Sequence, residues 1–221
     1  MTTSSPLFVA DDITIARTLS TDFYLQQEYF NAAKEKIFAR SWQFIGDDGL
    51  VKHPGDCYPF VLLENMLPEP LVLTRDKNNA LHCLSNVCTH RGNILVAEAC
   101  NQPHLRCKYH GRMFHQDGTF RSMPEFREVK DFPSAADNLH SFPLFRLGKW
   151  LFTSIHSHTP AAFFKDMTER LGWLPLQEFT FRPPLQTYTV NAHWALYCEN
   201  YLEGFHIPFV HAGLNSVIDF G

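Results

Sequence analysis

No stretch of this 221-residue sequence approaches the roughly twenty consecutive apolar residues that cross a bilayer. Its start, "MTTSSPLFVADD", lacks a basic segment followed by an apolar one. Neither a membrane span nor a secretory leader is expected, and the expected location is cytoplasmic. Basic charge is also scarce: 19 Lys and Arg, scattered along the chain, face 23 Asp and Glu. That distribution carries no electrostatic footprint for nucleic acid, so small molecules or proteins are the expected partners. Internal repeats and low-complexity tracts are missing as well. With 45 % hydrophobic and 19 % charged residues, the chain is of ordinary globular composition and can bury a core in one or two domains. Six cysteines without a secretion signal do not read as a disulfide framework, because a reducing compartment leaves thiols free for metal binding or burial.

From Leu25 to Arg40, Tyr29, Phe30, Ala33, Ile37 and Phe38 recur at helical spacing among charges, which predicts an amphipathic helix. A strand, "SWQFIG", follows. Between Val51 and Ile155 short apolar runs ("YPFVLL", "PLVLTR", "ALHCLSNV", "KWLFTSI") alternate with Pro, Gly, Asn and Asp turns, the pattern of an all-β domain. Asp117-Gly118 in "MFHQDGTF" predicts a hairpin turn. "AAFFKDMTERLGWL" reads as helix, "QTYTV" as strand, and "HWALYCENYLEGFH" as helix on its length.

The chemistry concentrates in "NVCTHRGNILVAEACNQPHLRCKYHG". Cys88, His90, Cys107 and His110 form C-x-H, sixteen intervening residues, then C-x-x-H. Thiolate and imidazole suit zinc or iron-sulfur iron alike. A structural zinc knuckle usually takes both cysteines from one C-x-x-C. Here each loop supplies one Cys and one His, which fits a [2Fe-2S] cluster whose two irons are held by two Cys and two His. Each loop continues into a glycine, Gly92 and Gly111, expected to let backbone N–H groups approach the cluster sulfurs. A zinc site or a scatter of buried Cys and His are the alternatives. Cys57, Cys83 and Cys198 sit in apolar patterns as small hydrophobes, and Cys100 lies between the loops.

"CTHRG" and "CKYHGRMF" resemble the two cluster loops of Rieske domains, specifically those of Rieske non-heme iron oxygenases. Where respiratory-type Rieske proteins carry an extra cysteine in each loop, this chain has Asn93 and Tyr109, so the resemblance implies the lower-potential oxygenase or ferredoxin type.

A second constellation lies near the end, in "NAHWALYCENYLEGFHIPFVH". On an unbroken helix His206 and His211 would stand about 140° apart, too far for one metal. Pro208 is expected to end or kink the helix and let the second histidine swing back. Glu203, three residues before His206, is expected on the same helix face. Two histidines with a carboxylate and open positions are the facial-triad recipe for non-heme Fe(II). A half-buried helix with hydrogen-bonded histidines is the bland alternative.

The segment resembles the mononuclear-iron motif of the same oxygenases, E-N-x-x-(D/E)-x-x-H-x-x-x-x-H. By that resemblance His206 and His211 match the iron histidines and Asn200 an asparagine close to the iron. Glu203 matches the acidic residue that bridges to a neighbouring subunit's cluster. Glutamate there, rather than aspartate, is closer to the branch that includes choline and carnitine monooxygenases. The family's usual Asn-Trp-Lys is His193-Trp194-Ala195 here, a departure.

The resemblance implies an α+β chain in three parts: an N-terminal helical segment (1–41), an all-β Rieske [2Fe-2S] domain (42–155), and the beginning of a helix-grip catalytic domain (156–221). It implies an oxygenase α subunit that passes electrons from a reductase or ferredoxin through the cluster to a mononuclear Fe(II). There O2 hydroxylates or oxidatively demethylates a small organic substrate, aromatic or quaternary ammonium, in a head-to-tail homotrimer. The third iron ligand, an aspartate, is expected beyond residue 221, with Asp219 a weaker candidate, so the chain is expected to be a truncated subunit, inactive alone. The rival reading is a Rieske electron-transfer protein without oxygenase chemistry.

Overall fold

A computed structural model describes residues 7–126, 128–156, 159–180, 186 and 188–218. In chain order its elements are α1 (Thr21–Leu25), α2 (Gln27–Lys36), β1 (Gln43–Asp47), β2 (Asp56–Leu63), β3 (Leu67–Arg75), β4 (Leu81–Ser85), β5 (Cys100–Asn101), β6 (Leu105–Arg106), β7 (Met113–Phe114), β8 (Phe120–Ser122), β9 (Ser141–Phe142), β10 (Leu144–Leu147), β11 (Trp150–Thr153), α3 (Pro160–Leu171), α4 (Trp194–Leu202), α5 (Ile207–Val210) and α6 (Ala212–Asn215). Two compact units result, Ala33–Pro183 and the pair of segments Met1–Ala32 with Pro184–Gly221. Among the described residues no helix is long and apolar enough to cross a membrane.

The larger unit contains three antiparallel sheets, ordered β5-β2-β3-β4-β9, β1-β11-β10 and β6-β7-β8. Strand β3 is the hub, because Leu71, Val72, Leu73 and Thr74 are all fully buried. Alternate side chains of a strand leave on opposite faces, so such a run requires both faces to be covered. On one face Leu73 meets Val51 and Leu151, joining the five-stranded sheet to β11. On the other, Val72 packs in the cluster of Leu84, Leu95, Val96, Leu105 and Phe114, which carries the two Cys-His loops. Helix α3 is anchored within the same unit by Phe164, stacked on Phe145 at 4.2 Å between centroids and buried beside Trp42 and Phe152.

The β7–β8 hairpin forms at Asp117-Gly118 as expected. Gly118 takes φ +84° and donates its N–H to the His115 carbonyl at 3.0 Å. A Cβ there would lie 2.9 Å from Leu84 Cδ2, so both the backbone and the core demand glycine.

In the smaller unit His193 caps α4, accepting from the Ala195 N–H at 3.3 Å, and its ring stands edge-on to Phe23 and Tyr24 at 5.2 and 5.7 Å. The Tyr24 hydroxyl donates to Glu199 at 2.6 Å, tying α1 to α4. His193 thus does as an N-cap what an asparagine commonly does.

Several expectations need correction. The helix expected over Leu25–Arg40 is interrupted: Leu25 ends α1, Gln26 is extended, α-helix resumes over Gln27–Lys36, and a 3₁₀ turn follows at Phe38–Arg40. No strand forms at Gln186 or over 188–190; Thr187 lies outside the described residues, as does Asp219. Cys57 and Cys83 are buried, but Cys198 is exposed on α4 rather than packed as a small hydrophobe. The long helix expected from His193 to His206 stops at Leu202.

Leu73 has no solvent exposure and bridges two sheets. Leu73→Ala should therefore cost about 3 kcal/mol, read as a lower urea midpoint with an unchanged m-value.

Candidate metal centres

The two Cys-His loops share one backbone plan despite their different spacings. In the first, the Cys88 N–H donates to the Asn93 carbonyl at 2.8 Å, and the Gly92 N–H donates to the Cys88 carbonyl at 3.0 Å. In the second, the Cys107 N–H donates to the Arg112 carbonyl at 2.8 Å, and the Gly111 N–H to the Cys107 carbonyl at 3.0 Å. Each turn closes through a glycine in the left-handed region, φ +69° at Gly92 and +73° at Gly111. The glycines' own N–H groups close the turns, and their positive φ is what calls for glycine. The N–H groups that act on the sulfurs are those of their neighbours, His90 and Arg91 at Cys88 and Tyr109 and His110 at Cys107.

Equal turns bring the loops together with like donors facing. The Cys88 and Cys107 thiols are near enough to act on each other's ionisation and are only 2 and 3 % exposed. The His90 and His110 rings meet edge to face at 4.8 Å, with His90 half-buried and His110 exposed. Donors arranged as a sulfur pair inside and an imidazole pair outside suit two metal ions with two protein ligands each. Among the described residues no three of His, Cys, Asp and Glu converge as ligands for one ion, as a closed structural zinc site would require.

The electrostatics follow the same division. Burial pushes the Cys88 thiol up. At Cys107 burial is outweighed by the Tyr109 and His110 backbone N–H groups, with the Cys88 thiol and the Asn93 side chain, so that thiol lies below its usual value. N–H groups aimed at a sulfur stabilise its anionic, metal-binding form. Burial, then the neighbouring His110, Arg91 and Arg112, hold His90 below the usual histidine range, in the neutral form that coordinates metal.

The second constellation is built differently from the expectation. Glu203 is extended (φ −117°, ψ 152°), so it does not share a helix face with His206. A short turn does the work instead: one Glu203 oxygen hydrogen-bonds His206 Nδ1, while the other accepts the Phe205 N–H at 2.6 Å. Pro208 starts a helix rather than ending one, standing in the first turn of α5 with His206 as its N-cap. His211 follows the single turn of α5, and the two rings stand 5.2 Å apart at 77°. His206 first, and then the Phe205 N–H, hold the Glu203 carboxyl below the ordinary range despite partial desolvation. Asn200 is exposed on α4.

Residues 41–133, which span both loops, match the family model described as the Rieske [2Fe-2S] domain. They form a Rieske domain. Among curated proteins the chain is 24 % identical over 217 residues to chloroplastic choline monooxygenase of Arabidopsis thaliana, covering 92 % of this chain and 50 % of that one. It is 28 % identical over 204 residues to the large oxygenase component of the naphthalene 1,2-dioxygenase system of Pseudomonas aeruginosa, covering 84 % and 42 %. Among solved structures, the apo form of the quaternary ammonium Rieske monooxygenase CntA shares the fold at TM-score 0.78 and 23 % identity, over 89 % of this chain and 57 % of that one. The chain spans about half the length of the curated relatives it matches and is homologous to their N-terminal part.

Within the Rieske domain, sequence reasoning missed the support that holds the loops. Asn86 is buried and clamps the first loop at its base, donating to the Val96 carbonyl at 2.7 Å and accepting the Val96 N–H at 2.9 Å. Arg112, 4 % exposed, follows directly on the second motif and reaches Asp137 Oδ1 at 2.6 Å. The Asp137 carbonyl also accepts from Thr89 Oγ1 of the first loop at 2.9 Å, so one residue holds both loops. Phe114, Phe120 and Phe132 surround the guanidinium, their ring centroids 5.0–5.7 Å from it. A basic residue next to C-x-x-H-G amid phenylalanines was the available signal.

Removing one partner of a buried ion pair strands the other charge. Because the Asp137 side chain is 21 % exposed, Asp137→Ala should cost about 3 kcal/mol, the low end for such pairs, measured as earlier thermal bleaching of the cluster absorption. The Arg112→Met/Asp137→Leu double variant should recover most of the loss.

Proposed function

We propose that this chain is the electron-receiving part of an oxygenase α subunit, in which Cys88, His90, Cys107 and His110 hold a [2Fe-2S] cluster and His206 and His211 hold a mononuclear Fe(II). When bound, the cluster stores single electrons and the iron activates O2. The observation that carries the oxygenase reading is the approach of His206 and His211 to 5.2 Å with Glu203 on His206, a pair that an electron-transfer protein does not need. The domain organisation we propose is a helical segment 1–41, the cluster domain 42–155, and the start of a helix-grip catalytic domain from 156, with the third iron ligand in the region corresponding to the other half of the relatives.

The chain's own residues do three things in this reading. The buried cysteines and their N–H donors hold negative charge at the inner side of the cluster. The outward imidazoles of His90 and His110 present N–H edges through which an electron can leave. Glu203, anchored by the Phe205 N–H, fixes the tautomer and direction of the His206 ring and, in a head-to-tail homotrimer, bridges to the cluster histidines of the neighbouring subunit. Electrons would come from NAD(P)H through a reductase or ferredoxin, in the cytoplasm. The similarity to choline monooxygenase favours a quaternary ammonium substrate, undergoing hydroxylation or oxidative demethylation, over an aromatic one.

In the full-length subunit three irons and two sulfides per chain are expected, falling to two irons in His206→Ala/His211→Ala with the reduced-cluster EPR signal kept. Two irons in the parent protein would favour the rival, a Rieske electron-transfer protein. Glu203→Gln should keep the cluster spectrum and slow single-turnover electron delivery at least about tenfold; an unchanged rate would remove Glu203 from the bridge.

A further inference from the structure

The hairpin that carries the second cluster loop has a second pair of histidines at its opposite end. β6 and β7 pair antiparallel, with Leu105 opposite Phe114 and Arg106 opposite Met113. Extending that register by one residue sets His104 opposite His115. Leu105 and Phe114 are fully buried in the core, so the alternation of a strand sends the two histidines to the other face. There they line a pocket of about 460 Å³ together with Asp76, Asp117 and Gln116.

The ring geometry matches that of the two metal-type pairs. His104 and His115 stand edge to face, 5.4 Å between centroids at 83°, against 4.8 Å for His90–His110 and 5.2 Å for His206–His211. The Nδ1 of His104 is shielded from solvent and meets no hydrogen-bond partner among the described residues, an unmet polar group that costs free energy unless a ligand or water satisfies it. Two carboxylates, Asp76 and Asp117, share the pocket with Lys77, Asp76 also pairs with His82 at 3.1 Å, and Arg121 lies near His104.

We propose that His104 and His115 form a cross-strand site for one borderline divalent transition-metal ion, such as Zn2+, Ni2+ or Cu2+. No third His, Cys, Asp or Glu among the described residues converges on the pair, so water fills the remaining coordination positions. Imidazole donors select these ions over Mg2+ and Ca2+, with Cu2+ held tightest. Burial, with Arg121 and His115 nearby, holds His104 below the usual histidine range and so in its ligating form at neutral pH. A bound ion would staple the base of the hairpin whose other end carries Cys107 and His110.

The test uses the chain with its cluster loaded and oxidised, in a His206→Ala/His211→Ala background so that the other histidine pair cannot take the probe. Titration with Ni2+ by calorimetry should give one equivalent, and His104→Gln and His115→Gln should each weaken it at least about tenfold with the cluster absorption unchanged. A smaller change in either variant overturns the site. Should a variant lose its cluster absorption, pulsed EPR of one equivalent of Cu2+ on the background protein decides. Echo modulation from two imidazole nitrogens supports the site, and modulation from one or none overturns it.

Discussion

A buried guanidinium cannot stay in a protein interior unpaired, and Arg112 meets that requirement at Asp137, whose carbonyl also holds Thr89. Because Arg112 follows the second Cys-His loop and Thr89 lies within the first, satisfying one charge fixes two loops against a single support. Phenylalanines surround the guanidinium, keep water away and so make the pairing stringent. The mutual placement of the four metal-type donors rests on this arrangement. Neither loop has strand pairing of its own sufficient to hold it, since β6 and β7 are two residues each and Val87–Ile94 is a single bridge.

Identical turn closure then gives the site its polarity. Each cysteine is pinned at the start of a turn whose fifth and sixth residues return to it, so the thiols point inward to the core they share with Val72, Leu105 and Phe114. The histidines sit in the arch of each turn and emerge outward. C-x-H and C-x-x-H differ by one residue, yet the turns close at the same length. The second histidine is therefore only moved one residue along its arch, where the Tyr109 ring lies tilted against it at 3.9 Å between centroids. In the proposed function this polarity separates a buried, charge-holding side from an exposed side that donates electrons.

In the smaller unit the constraint is different, because a helix end rather than a sheet positions the donors. α4 stops at Leu202, Glu203 extends, and the chain restarts at His206 as the cap of a helix that Pro208 can enter because its missing N–H is not needed in a first turn. One turn later His211 returns to His206. Glu203 reaches the same ring through a local turn stabilised by the Phe205 N–H, so the triad-like grouping depends on a break in the helix, not on its continuity.

Residue types and spacing were enough to identify the two Cys-His loops, the histidine pair, the hairpin at Asp117-Gly118, the β-rich middle and helix α3, because each is a local pattern that the chain satisfies within a few residues. Local pattern was not enough where a turn competes with a helix: "HWALYCENYLEGFH" has helical composition, but Gly204 and the hydrogen-bonding needs of Glu203 end the helix early. Nor did it show that Cys198 faces outward or that Gly92 and Gly111 are needed for their backbone angles. By itself the sequence determined which donors the chain carries, one cysteine and one histidine per loop. Only the tertiary structure decided that thiol faces thiol and imidazole faces imidazole, and that Arg112, Asp137 and Thr89 hold them so. Those contacts join residues up to 48 positions apart, and no local rule of chain geometry relates them.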